Sequence, residues 1–114
     1  MTDCLFCKIV AGDIPADIVY RDDIMTVFRD INPRARVHLL AIPNHHVESL
    51  DELTAEDASW VGHITRMLPI VARESGLTQG FRTVVNTGVG GGQEVYHLHY
   101  HILGDVRDAD WRGF

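Results

Sequence analysis

Three histidines alternate with apolar residues near the end of the chain. The segment reads VYHLHYHIL, and its members His97, His99 and His101 are three of the seven histidines in the sequence. If this segment is a β-strand, side chains point to opposite faces in turn, so the imidazoles share one face at a spacing of about 6.5 Å. The apolar residues between them would then face the core.

Packing alone explains three imidazoles in register poorly, and two kinds of chemistry fit them. Imidazole is a common metal ligand, and neighbouring His-x-His pairs bind zinc. Imidazole is also a nucleophile at phosphorus when neutral and an acid when protonated. The glycine-rich turn Gly88–Gly92 favours phosphate chemistry, because backbone N–H groups can approach an anion there. A flexible hairpin is the alternative explanation for the glycines.

The composition indicates a globular protein with a small ligand. The 114 residues, 46% of them hydrophobic and 23% charged, predict one domain spanning residues 1–114. The net charge of −6 argues against a nucleic-acid surface, so we expect any phosphate ligand to be small and held in a pocket. The absence of a basic leader and of a run of about 20 apolar residues predicts a cytoplasmic protein without a membrane partner.

Hydrophobic periodicity predicts an α+β fold. A short helix should span residues 4–11, and a long helix residues 54–75, with Thr54 as its cap and Pro69 as a kink or weak point. A hairpin turn is expected at Asp22-Asp23. The predicted strands are Asp17–Tyr20, Met25–Arg29, Val37–Ile42, Phe81–Asn86 and the histidine segment. Short connections favour a five-stranded antiparallel sheet with the helices against one side.

The histidine segment also resembles a known family motif. His97–Leu103 is similar to the His-φ-His-φ-His-φ-φ motif of the histidine triad (HIT) family, in which φ is apolar. Further segments resemble the Hint branch of that family in order and spacing. They are CLFCKI with GDIP, FRDINP, HLLAIP followed by His46, and Val85-Asn86 and Gly88 with Gly92-Gln93. The resemblance covers the chain from about Cys4 to Leu103.

This resemblance implies a purine-nucleotide-binding enzyme. The expected reaction is hydrolysis or transfer at the α-phosphate of a nucleoside monophosphate derivative, with an amine as the leaving group, as in adenosine phosphoramidates. The partner would be an AMP-type or GMP-type nucleotide, and the protein would be a homodimer whose sheets join. One alternative is a dinucleoside polyphosphate hydrolase of a sister branch. Another is a non-catalytic nucleotide-binding or adaptor protein.

The resemblance also assigns catalytic roles. His99 would be the nucleophile and form a nucleotidyl-imidazole intermediate. His101 would hold the phosphate and help the leaving group depart, as donor or acid. His97 and His38 would orient and polarise the site.

Further residues would bind the substrate. Ribose would bind to Asp30 and phosphate to Asn86, although both residues could instead serve a turn or a strand end. The predicted base slot, which could alternatively be plain core, consists of Phe6, Ile9, Phe28 and Ile31. Other expected contacts come from the last glycine of the turn and the three residues after it, namely Gly92, Gln93, Glu94 and Val95.

Two departures from the branch concern the leaving group. Glu94 occupies a position where the best-known Hint proteins carry a serine that contacts the phosphate. A carboxylate there would repel a phosphate, so we expect Glu94 either to turn away or to meet an amine leaving group. The tail 105–114, which ends in Trp111 and Phe114, differs from the family's ending and is expected near the active site.

A Cys-x-x-Cys pair near the start predicts a metal site. In a chain without an export signal, Cys4 and Cys7 favour metal binding or redox chemistry over a structural disulfide. Bacterial relatives of this kind imply a zinc set of Cys4, Cys7, His46 and His97. The zinc would be structural and the chemistry would not require it. The alternative is two reduced cysteines on a helix, one of them buried.

Overall fold

The elements follow the order helix, three strands, helix, two strands. The computed structural model describes residues 3–105. The elements are α1 (Leu5–Ala11), β1 (Ile18–Arg21), β2 (Met25–Arg29), β3 (Val37–Pro43), α2 (Ala58–Glu74), β4 (Arg82–Val84) and β5 (Tyr100–Gly104). Single 3-10 turns lie at Leu50–Glu52, Ala55–Asp57 and Val89–Gly91. The tail that was expected near the active site consists almost entirely of residues after Asp105, which lie outside the described residues.

All five strands form one antiparallel sheet in the order β1-β2-β3-β5-β4. β3 lies at its centre between β2 and β5, and every residue of β3 is buried. β1 and β2 form the hairpin expected around Asp22-Asp23. The α+β class with a five-stranded antiparallel sheet is therefore confirmed.

The two helices cover opposite faces of the sheet, so the prediction that both lie on one side was wrong. On one face, Ile64 and Leu68 of α2 pack in a cluster with Leu39 and other strand residues. On the other face, Phe6 of α1 packs in a cluster with Leu40. Successive residues of β3 point to opposite faces, and both sets are apolar apart from His38. A strand with apolar residues on both faces needs a cover on each side.

Helix α2 is preceded by a capped 3-10 turn. The Thr54 hydroxyl accepts a hydrogen bond from the N–H of Glu56, and the Asp57 carboxylate accepts one from the N–H of Thr54 at 2.8 Å. The helix continues across Pro69 to Glu74, so the expected weak point does not divide it. Among residues 3–105, no helix is both long enough and apolar enough to span a bilayer.

The histidine segment is only partly a strand. β5 begins at Tyr100, so only His101 of the three imidazoles is carried by regular sheet. The last pair between β3 and β5 is Ala41 with Tyr100. Pro43, two residues further along β3, has no N–H to donate to a longer ladder. The predicted alternation still holds before the strand, because Leu98 and Tyr100 both enter the core cluster on the α2 face. The imidazoles therefore lie on the α1 face.

Candidate active site

A cavity of about 1020 Å³ opens on the α1 face. Most of the residues predicted for catalysis and substrate binding line it. They are Phe6, Ile9, Phe28, Asp30, Ile31, His38, Asn86, Gly92, Glu94, Val95, His99 and His101. Two predicted site residues, His97 and Gln93, do not line the cavity. The fold thus brings together segments that are far apart in the sequence.

One wall of the cavity is apolar. Phe6, Ile9 and Phe28 are each at least 94% buried, and the rings of Phe6 and Phe28 meet edge to face at 5.4 Å between centroids. These residues both belong to the α1-face core and line the cavity, so the two interpretations of them are compatible. Ile31 is 89% exposed at the rim. Such a wall suits a flat heterocycle.

The environment of His99 determines which of its nitrogens can react. Its Nδ1 lies 2.8 Å from the carbonyl oxygen of His97. A carbonyl can only accept, so Nδ1 carries the hydrogen and the lone pair of the neutral ring is on Nε2. The ring packs against the edge of Phe6, and the residue is 8% exposed. In its unprotonated form His99 therefore has one available nucleophilic nitrogen, Nε2.

The His38–His101 pair is ordered by a backbone donor. The N–H of Arg34 donates to His38 Nδ1 at 3.0 Å, so the hydrogen of the neutral His38 ring lies on Nε2. His38 Nε2 lies 2.9 Å from His101 Nδ1, which must therefore accept. This leaves the hydrogen of His101 on Nε2. The successive hydrogen bonds from Arg34 to His38 and from His38 to His101, which we call the tautomer chain, thus make His101 a hydrogen-bond donor in the cavity. This donor lies beside the acceptor nitrogen of His99.

Burial favours neutral rings in this pair. Burial lowers the pKa of His38, and the positive charge of Arg34 acts in the same direction. Burial also lowers the pKa of His101 to about 4, with further contributions from His99 and His38. The Asp30 carboxylate opposes both shifts. Near neutral pH His38 and His101 are therefore uncharged, as the tautomer chain requires.

Asp30 forms the turn considered for it and also lines the cavity. Its Oδ1 accepts from the N–H of Asn32 at 2.9 Å, which is a turn-forming bond. Its Oδ2 lies 3.4 Å from His38 Nε2. Asp30, His38 and His101 also offer three possible metal ligands within 4.8 Å of one another. A metal there is disfavoured, because the Nε2 of His38 carries a hydrogen and has no lone pair to offer.

Gln93 stabilises the glycine loop. Its Oε1 accepts from the N–H of Gly88 at 2.8 Å, and its Nε2 donates to the carbonyl oxygens of Glu48 at 2.7 Å and Val95 at 3.0 Å. The residue is buried and all of these bonds are internal. Gln93 therefore acts on the loop and does not reach the cavity.

Asn86 braces the same loop from the other side. Its Nδ2 donates to the carbonyl oxygen of Gly91 at 2.8 Å, while the residue also lines the cavity. Gly88 and Gly92 both have positive φ, of 70° and 81°, which favours glycine at these two positions. These contacts brace the loop at the edge of the cavity.

The four predicted zinc ligands form a second cluster. His97 Nδ1 lies 3.2 Å from Cys4 Sγ and 3.5 Å from Cys7 Sγ, and His46 Nδ1 lies 3.5 Å from Cys7 Sγ. In a tetrahedral site with normal zinc bonds, sulfur and nitrogen ligands are about 3.5 Å apart. His97 Nε2 donates to the carbonyl oxygen of Pro43 at 2.9 Å, which leaves Nδ1 free as a ligand. The donor set therefore fits zinc.

Known proteins resemble this chain over nearly its whole length. It matches the family profile described as "Scavenger mRNA decapping enzyme C-term binding" over residues 3–113. Protein HitA of Neisseria gonorrhoeae is 52% identical over 104 residues, which make up 91% of this chain and 97% of the relative. The purine nucleoside phosphoramidase of Escherichia coli (strain K12) is 42% identical over 103 residues, 90% of this chain and 87% of the relative. The chain belongs to the histidine triad family.

Solved structures agree with this assignment. The HIT family hydrolase from Legionella pneumophila Philadelphia 1 has a TM-score of 0.90 and 42% identity, covering 96% of this chain and 98% of its own. A histidine triad protein from Clostridium difficile also has a TM-score of 0.90, with 44% identity and 95% coverage of both chains. The protein is therefore an enzyme of the histidine triad family, and its broad class is that of a hydrolase.

Sequence reasoning missed three backbone groups of this histidine triad site. The N–H of Arg34 sets the tautomer of His38, the carbonyl of Pro43 sets that of His97, and the carbonyl of His97 sets that of His99. Nothing in the side-chain types of Arg34 or Pro43 indicates these roles. Arg34 also lines the cavity.

Proposed function

We propose that this histidine triad enzyme cleaves purine nucleoside monophosphate derivatives at the α-phosphate, with adenosine phosphoramidates as the substrate type. The observation that carries the proposal is the pairing of a free acceptor nitrogen on His99 with a donor N–H on His101 in one cavity. The 42% identity to a purine nucleoside phosphoramidase from Escherichia coli supports the substrate class.

The base would lie against the apolar wall that includes Phe6 and Phe28, and the ribose hydroxyls would bind to Asp30. His99 Nε2 attacks the phosphorus and forms a P–N bond while the bond to the amine breaks. The N–H of His101 donates a hydrogen bond where charge develops, an effect of about 10²- to 10³-fold in comparable sites.

A water molecule then attacks the nucleotidyl-His99 intermediate and releases the nucleoside monophosphate. The bonding electrons return to His99 Nε2. The amine takes up one proton in the first step and the water gives up one in the second, so the two steps together consume one water. Neutral His99 is regenerated with its hydrogen still on Nδ1, where the carbonyl of His97 holds it.

Turnover of matched substrates tests this proposal. We expect wild-type protein to cleave an adenosine phosphoramidate faster than a diadenosine polyphosphate, and His99→Ala to lower kcat by about 10³-fold or more, as the loss of a nucleophile does. His45→Ala is the control, because the exposed His45 packs on Trp60 and does not line the cavity. Full activity of His99→Ala would contradict the proposal.

The two other candidate functions give different results in the same assay. Faster cleavage of the diadenosine polyphosphate would assign the protein to the sister branch. Tight AMP binding without any turnover would make it a binding protein.

We also propose that the cluster of Cys4, Cys7, His46 and His97 holds one structural zinc ion. The donor types, their spacing and the Pro43 hydrogen bond support it. A bound zinc ion would anchor the segment from His97 to His99 through its ligand His97. The catalytic steps are all carried by the protein's own imidazoles.

A further inference from the structure

Glu94 lines the cavity and makes no hydrogen bond or ion pair with any residue in the part of the chain that the structure describes, 3–105. The other acid of the cavity, Asp30, differs because it is bonded to the N–H of Asn32 and lies beside His38. The side chain of Glu94 is exposed, so its carboxylate can meet a ligand that enters the cavity. Its charge is therefore available to act on the substrate.

The backbone that carries Glu94 is fixed on both sides. The side chain of the preceding Gln93 is buried and bonded to the N–H of Gly88 and the carbonyl of Val95. Glu94 thus lies between two residues that one buried amide holds together. A charge on a fixed loop discriminates between ligands better than one on a mobile loop, because the loop cannot move away from a mismatched group.

The place of Glu94 in the cavity indicates which part of a substrate it would meet. Glu94 lines the same cavity as His99 and His101, the two imidazoles of the proposed reaction. The apolar wall and Asp30 are assigned to the base and the ribose, so the leaving group is the part of the substrate left to meet Glu94.

We propose that Glu94 is a specificity residue that favours amine leaving groups carrying a positive charge and disfavours those carrying a carboxylate or phosphate. The physical reason is ordinary electrostatics, since a carboxylate attracts an ammonium and repels an anion. The proposal rests on the proposed phosphoramidase function and deepens it, because it names the class of amine. It also predicts slow cleavage of substrates whose leaving group is a polyphosphate.

Three adenosine phosphoramidates of equal chain length test the proposal. Their amines are cadaverine, aminopentanol and aminopentanoate, which end in an ammonium, a hydroxyl and a carboxylate. We expect kcat/KM of the wild-type protein to fall in that order by about two- to fivefold at each step, the range of a partly exposed ion pair. Glu94→Gln should bring the three values close together.

The control is Glu56→Gln, which removes the same charge from an exposed residue in the turn before α2. It should keep the wild-type order. The proposal is overturned if wild-type protein treats the three compounds alike, or if Glu94→Gln keeps the order. If none of the compounds is cleaved, the phosphoramidase function fails separately, and the dissociation constants of the three intact compounds give the same comparison of charge preference.

Discussion

At the scale of single residues, the histidines of the triad differ in which ring nitrogen is bonded within the protein and in whether that nitrogen donates or accepts. His97 and His99 each donate to a backbone carbonyl, the first from Nε2 and the second from Nδ1. His101 accepts from His38 at Nδ1. As a result, His97 offers a lone pair to the cysteines, His99 offers one to the cavity, and His101 offers an N–H to the cavity.

Replacing His38 tests the tautomer chain. In His38→Leu the donor to His101 is lost, and we expect kcat to fall by about 10- to 100-fold, less than the loss typical of a direct proton donor. In His38→Gln the side-chain amide can still donate to His101 Nδ1, so we expect less than about a tenfold loss. Steady-state kinetics on an adenosine phosphoramidate would measure both. Equal losses in the two variants would contradict the role assigned to His38.

The sequence alone predicted the grouping of these imidazoles but not their tautomers. Alternation along the segment correctly placed Leu98 and Tyr100 in the core and the histidines on the other side. The tautomers depend on the backbone N–H of Arg34 and on backbone carbonyls, which lie near the rings only after folding. A backbone group has the same chemistry in nearly every residue, so its partners leave no mark in the sequence.

At the scale of elements, the turn between β1 and β2 is tied to helix α2. Asp22 accepts hydrogen bonds from the N–H groups of Ile24 and Met25, from the Tyr20 hydroxyl at 2.7 Å and from His63 Nε2 at 2.7 Å. Burial alone would raise the pKa of Asp22, but these hydrogen bonds outweigh it and hold the pKa well below its usual range. His63, which had no predicted role, therefore joins the hairpin to the helix.

The depressed pKa of Asp22 predicts a pH-dependent stability. The ionised carboxylate stabilises the folded state above its unfolded pKa of about 4, and this stabilisation is lost as the pH falls toward the folded pKa. We expect Asp22→Asn to lower the free energy of unfolding at pH 7 by about 1–3 kcal/mol and to flatten its decline in acid. Urea unfolding at a series of pH values would measure this.

The neighbouring Asp23 provides a matched control. It is exposed and lies in the same turn, so Asp23→Asn removes a similar charge without removing the hydrogen bonds of Asp22. Its effect on stability should be within about 0.5 kcal/mol. An equal loss of stability in both variants would show that the hydrogen bonds of Asp22 are not the cause.

The arrangement of the helices was the main error at this scale. Residues Val37–Pro43 are apolar apart from His38, and a near-continuous apolar run is typical of a strand covered on both faces. That pattern was present in the sequence and indicates two covering layers. The boundaries of β5 were also wrong, because a proline in the partner strand limits the ladder.

At the scale of the whole molecule, the cluster of two cysteines and two histidines joins three distant segments. Cys4 and His97 are separated by 93 positions in the sequence, yet their side chains lie 3.2 Å apart. The cluster lies beside the active site, since the ring of Phe6 contacts both His97 and His99. A metal ion at the cluster would therefore stabilise both the fold and the catalytic segment.

Metal analysis of the purified protein tests the zinc proposal. We expect about one zinc ion per chain, lost in Cys7→Ser and in His46→Gln. These variants should melt at least about 4 °C lower, the shift that corresponds to roughly 1 kcal/mol in a domain of this size. His45→Gln is the control, because His45 lies next to His46 but outside the ligand set. Full zinc content in Cys7→Ser would contradict the assignment.

The homodimer remains a prediction of the family resemblance. β4 is an edge strand of the sheet, and its outer side has no strand partner within residues 3–105. A second copy could extend the sheet there by backbone pairing. Sedimentation equilibrium would show a mass of twice 12.8 kDa if the dimer forms.

The covalent intermediate on His99 is the central claim, and rapid-quench mass spectrometry of the intact protein tests it most directly. Wild-type protein mixed with an adenosine phosphoramidate and quenched within one turnover should gain the mass of one adenylyl group. Digestion under mildly alkaline conditions, which preserve a phosphoramidate bond, should locate the adduct on His99, and His99→Ala should show none. Turnover without any adduct, or an adduct on another residue, would contradict the account.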